Sequence, residues 1–178
     1  MNKHNYEQNS NIEEKILEEL QKNCRLSADE IGKKCGCSRY KVIRVMKKLE
    51  DNNTIVGYTA VINPLKLNLK NFILLVKRSS VPFDEETIKM IPFTTENEFI
   101  PDVNIKSIAT LYVHGNYDWV FAFTAKDISN AKDFCNKIIK YFNKYVNELE
   151  LLEIVYPFRM NGITLPTKDE MRDMVKIL

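Results

Sequence analysis

The residues of this chain that are best suited to bind a charged partner are the basic side chains between positions 39 and 48. At about 100° per residue on a helix, Tyr40, Arg44 and Lys47 share one face. Further basic side chains flank that face, namely Arg39, Lys41 and Lys48. A helix with such a face fits the major groove of duplex DNA, where side chains meet phosphates and base edges. The alternative is a solvated surface helix, which is the commoner origin of a charge run.

The residues around this basic face predict the helices that would position it. Ser38 is suited to cap the basic helix, and Ser27 with Glu30 forms a capping box that starts another helix at residue 28. Gly36 can adopt the left-handed conformation that ends this preceding helix and tightens the turn. An apolar stripe opposite the cations faces the predicted core and consists of Val42, Val45, Met46 and Leu49. Because this stripe is complete, the pattern favours a helix-turn-helix over a solvated helix.

A third helix is predicted to begin near Asn11, with Glu14 at the capping-box position. Its apolar side comprises Ile12, Ile16, Leu17 and Leu20. After the basic helix, Asn52 and Asn53 lie where the chain must reverse, since asparagine tolerates positive φ. The following residues are predicted to form a wing strand through Ile55, Tyr58, Ala60 and Ile62.

These residues resemble the DNA-binding domain of the Lrp/AsnC family, the leucine-responsive or feast/famine transcription regulators. The matching segments are Arg25-Leu26-Ser27, Ile31-Gly32, Gly36-Cys37-Ser38, Val42, Arg44, Lys47-Lys48-Leu49-Glu50 and Ile55-Val56-Gly57-Tyr58-Thr59-Ala60. The last segment is the more specific one, because generic helix-turn-helix proteins lack it. The chain departs from the family at Val45, where a second arginine is common, and at Asn53, where glycine is common.

Composition limits the other classes of function. The 178 residues carry a net charge of +2, and residues 61–178 balance at fifteen basic and fifteen acidic side chains, so the basic excess lies in residues 1–60. No apolar run is long enough to span a membrane, and the polar start is not typical of a signal peptide, so we expect a cytoplasmic protein. Cys35 and Cys37 are interpreted as small apolar residues, and no partner pair with zinc spacing accompanies them. Neither a metal nor a cofactor is predicted.

The second half of the chain predicts an antiparallel sheet with two helices. Apolar strands are expected at 72–76, 105–113, 117–125 and 149–156, with a hairpin turn at Gly115-Asn116. Residues 128–146 predict an amphipathic helix, and residues 84–91 a weaker one that Pro92 interrupts. The inner face of the longer helix comprises Ala131, Phe134, Cys135, Ile138, Phe142 and Tyr145. The order β-α-β-β-α-β predicts a ferredoxin-like domain, so the whole chain is of the α+β class.

Both faces of the inner strands are apolar, which predicts self-association. In one strand, Phe72 and Leu74 point to one side while Ile73 and Leu75 point to the other. Two helices can cover only one face of such a sheet. We therefore expect a second copy of the chain to cover the other face, giving at least a homodimer. The alternative is that the carboxyl-terminal tail covers it.

This half resembles the family's domain for regulation of amino-acid metabolism, the RAM domain. The family signature Gly-Asp-Tyr-Asp corresponds here to Gly115-Asn116-Tyr117-Asp118. The resemblance implies sheets paired across a twofold axis, higher assemblies of dimers, and a small effector, often an amino acid, bound near this turn. Asn116 replaces the usual acid, and residues 79–104 form a longer segment than the family usually has.

Residues 167–178 extend past the recognised pattern. Thr167 and Glu170 make a capping box, and the apolar side chains that share one face are Met171, Met174, Val175 and Leu178. We predict a short amphipathic helix that packs on its own domain or on a neighbouring subunit.

Four ranges follow from these patterns. Residues 1–10 are predicted to be a flexible amino terminus, and 11–64 a winged helix-turn-helix domain with its motif at about 28–48. Residues 65–157 form the predicted RAM-type effector and dimerisation domain, and 158–178 the carboxyl-terminal extension.

The predicted function is sequence-specific binding of palindromic double-stranded DNA as a transcription regulator, not an enzyme. The predicted DNA contacts are Ser38, Arg39, Tyr40, Lys41, Ile43, Arg44, Lys47 and Lys48, with Lys33 and Lys34 as further phosphate contacts. One alternative is a haem-pathway decarboxylase of the sirohaem type with the same two-domain plan, which would need a histidine and an arginine in the second half. That half offers His114 but no arginine between Arg78 and Arg159. The other alternative is a partner subunit that has lost DNA binding.

Overall fold

The computed structural model describes residues 3–90 and 104–165, together with positions 100, 102, 172 and 176. The chain divides into two compact units. Met1–Val61 and Arg159–Pro166 make up the first, and Ile62–Phe158 with Thr167–Leu178 the second. The predicted helix at 167–178, apart from positions 172 and 176, and the prolines at 92 and 101 lie outside the described residues. The functional ranges assigned from the sequence stay predictions.

The first unit contains three helices around one apolar core. They are α1 (Lys3–Lys22), α2 (Ala28–Cys35) and α3 (Arg39–Asp51). The buried side chains come from all three helices and are Ile16, Leu20, Ile31, Cys35, Val42, Val45 and Leu49. Ile12, Leu17 and Met46 pack against this core at its margin, so the apolar stripes predicted for the first and third helices are confirmed. Residues 159–164 add a short hairpin of β5 (Arg159–Met160) and β6 (Ile163–Thr164), which the sequence did not predict.

The helix boundaries around the turn follow the predicted caps. Ser27 Oγ accepts a hydrogen bond from the Glu30 N–H at 3.3 Å, and the Ser27 N–H donates to Glu30 Oε2 at 2.8 Å, which completes the capping box. Gly36 ends α2 at φ +68°, in the left-handed region. Asn53 adopts φ +58° where the chain reverses after α3, so the conformational roles predicted for both residues are confirmed.

Two local predictions for this unit are wrong. The first helix begins at Lys3 rather than near Asn11, because Glu7 and Gln8 are good helix formers and the helix continues through the predicted cap. The predicted wing strand is not formed, since residues 56–63 adopt no regular secondary structure. A strand is stabilised by hydrogen bonds to a neighbour, and Val56 is instead 90% exposed.

The second unit is built on a four-stranded antiparallel sheet in the order β2-β3-β1-β4. The strands are β1 (Lys70–Arg78), β2 (Ile105–Tyr112), β3 (Trp119–Ala125) and β4 (Val146–Ile154). Helix α4 (Glu85–Met90) follows β1, and α5 (Ile128–Tyr141) lies between β3 and β4. This β-α-β-β-α-β order confirms the predicted ferredoxin-like arrangement.

The predicted end of the long helix is wrong. Helix α5 ends at Tyr141, with Phe142 as its carboxyl cap, and β4 already begins at Val146. The structural reason is that Val146 pairs with Arg78 of β1, so the chain must leave the helix before this point. Tyr145, predicted on the inner helix face, is nevertheless buried from the connecting turn.

The two faces of the sheet have different surroundings. Phe72, Leu74 and Val76 of β1 are fully buried in a core that includes Phe134 and Ile138 of α5. The opposite face also carries a row of apolar side chains across three strands. Val120 of β3 lies between Leu75 of β1 and Leu111 of β2, and Leu111 is 50% exposed.

Candidate nucleic-acid interface

Helix α3 presents its predicted basic face away from the core. Val42 is fully buried and Leu49 is 3% exposed, whereas Tyr40 is 83% exposed and Ile43 is 47% exposed. Arg44 and Lys47 are exposed on the same side as Tyr40. The structure therefore brings the central residues of the predicted interface together on one accessible surface.

The amino terminus of α3 is fixed by its cap. Ser38 Oγ accepts a hydrogen bond from the Lys41 N–H at 3.3 Å, and the Ser38 carbonyl accepts from the Val42 N–H at 3.1 Å. Arg39 and Tyr40 follow directly on the exposed first turn. This end of the helix therefore carries Ser38, Arg39 and Tyr40, three of the predicted DNA contacts.

The approach of α2 to α3 depends on a small residue at position 32. A Cβ atom on Gly32 would lie 2.6 Å from the Cys37 carbonyl oxygen, which is closer than real Cβ contacts allow. The same glycine accepts a hydrogen bond at its carbonyl from the Cys37 N–H at 2.9 Å. Gly32 therefore permits the tight turn that places α3, a packing role that the sequence analysis did not assign.

Three basic side chains near this surface are held by carboxylates of the same unit. Lys48 Nζ lies 2.7 Å from Glu13 Oε1, and Lys34 Nζ lies 2.7 Å from Glu19 Oε2. A longer contact of 3.5 Å joins Arg39 Nη1 and Asp29 Oδ2. The hydrogen bonds from Lys22 and Lys34 lower the pKa of Glu19 below its usual value. Sequence reasoning missed these carboxylates, since Glu13 and Lys48 are 35 positions apart and no local pattern links them.

Arg44 and Lys47 differ from these paired cations. Among the described residues, neither Arg44 nor Lys47 forms an ion pair or a side-chain hydrogen bond. Their charges are available on the surface of α3. The electrostatics of the face thus separate paired from unpaired cations, a distinction that the sequence does not show.

Tyr58 joins the segment after α3 to the end of that helix. Its hydroxyl donates a hydrogen bond to Glu50 Oε1 at 2.8 Å. Burial, together with this carboxylate, raises the pKa of Tyr58 to about 12. The tyrosine therefore stays neutral at physiological pH and remains a donor that anchors the chain beyond the helix.

The predicted effector turn is attached to the central strand. The Asp118 Oδ2 accepts a hydrogen bond from the Arg78 N–H at 2.8 Å, and the Asp118 N–H donates to the Val76 carbonyl at 2.9 Å. The Tyr117 hydroxyl donates to Glu150, which raises the pKa of Tyr117. Gly115 and Asn116 are exposed at the tip. Asp118 thus has a structural role in holding the turn, while the first two residues remain accessible.

Cys35 is part of the buried core of the first unit. Burial raises the pKa of the Cys35 thiol, which fits its predicted role as a small core residue. In the described parts of the chain, no cluster of three or more His, Cys, Asp or Glu residues is arranged to hold a metal ion. Of the helices in those parts, none has both the length and the apolar character needed to cross a bilayer.

Comparison with known proteins agrees with this geometry. A family model described as winged helix-turn-helix DNA-binding matches residues 10–56. The HTH-type transcriptional regulator Ptr1 of Methanocaldococcus jannaschii is 31% identical over 160 residues, which covers 87% of this chain and 97% of that protein. The leucine-responsive regulatory protein of Haemophilus influenzae is 42% identical over 53 residues, or 30% of this chain and 32% of that protein.

A solved structure extends the similarity to the whole fold. The transcriptional regulator NMB0573 from Neisseria meningitidis, determined as a complex with L-methionine, superposes with a TM-score of 0.65 at 17% identity. The match covers 90% of this chain and 97% of that one. The fold and the α3 surface define a DNA-binding transcription regulator of the winged helix-turn-helix class. Within that class, the chain belongs to the Lrp/AsnC family.

Proposed function

We propose that α3 reads operator DNA from the major groove, with base contacts concentrated in its amino-terminal half. The observation that carries this proposal is the exposure of Tyr40, Ile43 and Arg44 opposite the buried side chains of the apolar stripe, Val42, Val45 and Leu49. Helix-turn-helix proteins use the amino-terminal residues of the second helix to contact base edges. The proposed base-reading residues are Ser38, Arg39, Tyr40, Ile43 and Arg44.

Lysines around the exposed face of α3 are proposed to bind phosphates and to fix the register of the helix on DNA. Lys47 is the clearest of them, because its ammonium has no carboxylate partner among the described residues. Lys33 and Lys41 are also proposed to bind phosphates. Lys34 and Lys48 belong to the same basic surface, but they differ from Lys47 because each forms an ion pair with a carboxylate of α1.

Binding measurements on two variants test this division of roles. Arg44→Ala should weaken binding to the operator by about 1–3 kcal/mol and relax its sequence preference, because a base contact is lost. Lys47→Ala should weaken binding to all sequences alike and reduce the salt dependence by about one phosphate contact. Titrations with operator and random duplexes at several salt concentrations would measure both effects. An equal loss on operator and random DNA for Arg44→Ala would contradict the assignment.

The open face of the sheet supports a symmetric dimer. Ile73 and Leu75 of β1 lie on this face beside Ala122 and Val120 of β3, and the face continues to Leu152 of β4, which is 40% exposed. An exposed apolar surface of this kind is typical of association sites. We propose that a second copy of the chain covers it.

A symmetric dimer would place its two α3 helices in successive major grooves. The half-sites should then lie about 34 Å apart and be related by a twofold axis. Selection of binding sites from random DNA tests this directly. The expected product is an inverted repeat spaced by one helical turn, and recovered sites without symmetry would contradict the dimeric mode of binding.

A small effector is proposed to bind near the turn at 115–118. The exposed Asn116 can donate and accept hydrogen bonds, and Asp118 and Tyr117 fix the turn against β1 and β4. The similar regulator from Neisseria meningitidis was solved with L-methionine, which supports an amino acid as the class of ligand. Titration of individual amino acids against thermal stability should raise the melting temperature for at least one of them. Absence of any shift would remove the effector proposal.

The decarboxylase alternative receives less support from the structure. It would require a histidine and an arginine near the substrate in the second unit. His114 is exposed, with its ring edge-on to Tyr112, and the Arg78 guanidinium lies 3.6 Å from the centre of the Phe83 ring while donating to the Val81 carbonyl at 3.1 Å. Arg78 is therefore used within the fold. We propose that the chain regulates transcription without catalysing a reaction.

A further inference from the structure

Lys48 is one of the predicted DNA contacts of α3, but its ammonium is bound by a carboxylate of its own chain. It lies one helical turn after Arg44, on the same side of the helix. Its ammonium donates to Glu13 Oε1 at 2.7 Å. A lysine in this position would be counted as a phosphate contact from the sequence, whereas the structure shows its charge already neutralised.

Glu13 is well placed to retain this lysine. Its side chain is only 25% exposed, while the Lys48 side chain is 60% exposed. The neighbouring Ile12 and Ile16 pack against the helix core, so α1 holds the carboxylate close to the last turn of α3. If Lys48 moved to a phosphate, a half-buried carboxylate would lose its counter-charge, which opposes the exchange.

The same arrangement recurs one helix away. Glu19 of α1 pairs with Lys34 in the last turn of α2, and the Glu19 side chain is 15% exposed. Both pairs thus combine a shielded carboxylate of α1 with an exposed lysine of the DNA-binding surface. By contrast, Glu14 and Glu18 of the same helix are exposed.

We propose that Glu13 competes with DNA phosphates for Lys48, and so restrains binding to DNA of arbitrary sequence. Each phosphate neutralised by a lysine contributes about 0.9 to the slope of log affinity against log salt. Withholding one lysine therefore lowers affinity for every sequence alike and leaves base contacts unchanged. The ratio of operator affinity to random-sequence affinity is therefore unchanged and is still set by Arg44 and its neighbours, while the absolute affinity for random DNA is lower. This inference rests on the proposed DNA-binding role of α3 and adds a regulating residue to it.

Salt titrations on a random-sequence duplex with the full chain test the proposal. Glu13→Gln removes the competitor, so its salt slope should become steeper by about 0.9, and the loss of affinity between 50 and 200 mM salt should be about 3.5-fold larger than in the wild type. Glu14→Gln is the matched control, because it removes the same charge from the adjacent exposed position. It should leave the slope unchanged.

Lys48 variants complete a double-mutant cycle. Lys48→Gln should leave the slope unchanged in the wild-type background, and Glu13→Gln with Lys48→Gln should return the slope to the wild-type value. The proposal is overturned if Lys48→Gln alone reduces the slope by about 0.9, or if Glu13→Gln behaves like Glu14→Gln. Thermal melting of each variant verifies that it is folded.

Lys47→Gln separates failure of this inference from failure of the proposed function. Lys47 has no ion-pair partner among the described residues, so its substitution should reduce the slope by about 0.9. If Lys47→Gln has no effect, the assignment of the α3 surface to DNA is wrong. If Lys47→Gln reduces the salt slope but Glu13→Gln does not change it, only the competition between Glu13 and phosphates for Lys48 is excluded.

Discussion

Individual polar contacts fix the ends of elements in the second unit, and the contact between Asp84 and Tyr145 is the most informative. The Tyr145 hydroxyl donates to Asp84 Oδ2 at 2.6 Å, and the Thr87 N–H donates to Asp84 Oδ1 at 2.8 Å. Asp84 therefore precedes α4 as an amino-terminal cap while also holding the turn before β4. These hydrogen bonds, that of Tyr145 first, lower the pKa of Asp84 to about 2.

This contact predicts a pH-dependent contribution to stability. Because the folded pKa lies below the ordinary value of 3.8, the contribution is complete above about pH 4 and is lost as pH falls through about 2. Tyr145→Phe should therefore lower the free energy of unfolding at pH 6, and the difference from the wild type should shrink towards pH 2. Denaturant titrations at a series of pH values would measure it.

Tyr141→Phe provides the control for this experiment, since Tyr141 is a 46% exposed tyrosine a few residues away. Its small effect should not vary with pH over the same range. A stability loss for Tyr145→Phe that is equally large at pH 6 and pH 2 would show that ring packing, and not the Asp84 hydrogen bond, is responsible.

At the scale of elements, the helix-turn-helix depends on how closely α2 approaches the turn before α3. Gly32→Ala gains about 1 kcal/mol of helix propensity but places a Cβ atom 2.6 Å from the Cys37 carbonyl oxygen. Overpacking against backbone costs about 1–3 kcal/mol, so the steric effect should dominate. We expect the variant to have a lower free energy of unfolding and weaker binding to DNA, because the turn must open and move α3.

Gly57→Ala is the matched control, because a Cβ atom there meets nothing within 4 Å. Its effect on stability should stay within about 0.5 kcal/mol. Chemical denaturation would compare the free energies of unfolding of the two variants, and DNA titration would compare their affinities. Equal stability of Gly32→Ala and the wild type would mean that the backbone adapts to the added methyl group without strain.

At the scale of the whole molecule, the open sheet face is the surface through which we propose that two copies of the chain associate. Leu111→Lys places a charge on this face, next to Val120, and should weaken the proposed dimer because an ammonium would be desolvated at the interface. Light scattering or sedimentation over a dilution series should show the wild type as a dimer and Leu111→Lys shifted towards the monomer.

The control for the dimer is Ile139→Lys on α5. Ile139 is 48% exposed and Leu111 is 50% exposed, so both substitutions introduce a lysine at an equally exposed apolar position. Only Leu111 lies on the open sheet face. Ile139→Lys should remain dimeric. A monomeric wild type at low concentration would contradict the dimer itself, and it would leave the palindromic operator without a physical basis.

Local chemistry was sufficient to predict the helix-turn-helix. The Ser27–Glu30 capping box, the left-handed Gly36 and the spacing of Val42, Val45 and Leu49 depend on residues a few positions apart, so the sequence contains all of their partners. The order of strands in the second unit followed from the same kind of pattern. Alternation of apolar residues also showed that both faces of β1 are apolar.

Long-range contacts decided the remainder, because their partners are distant in sequence. Helix α5 ends at Tyr141 since Val146 must pair with Arg78, and residues 56–63 lack the neighbouring strand that the wing prediction required. The availability of each cation on α3 likewise depends on where α1 places its carboxylates. The sequence by itself determined that a basic helix is presented on an apolar scaffold. Only the tertiary structure decided that Lys48 is paired with Glu13, while Arg44 and Lys47 form no ion pair with any residue in the described ranges, because a charge is neutralised by whatever the fold brings within a few ångströms of it.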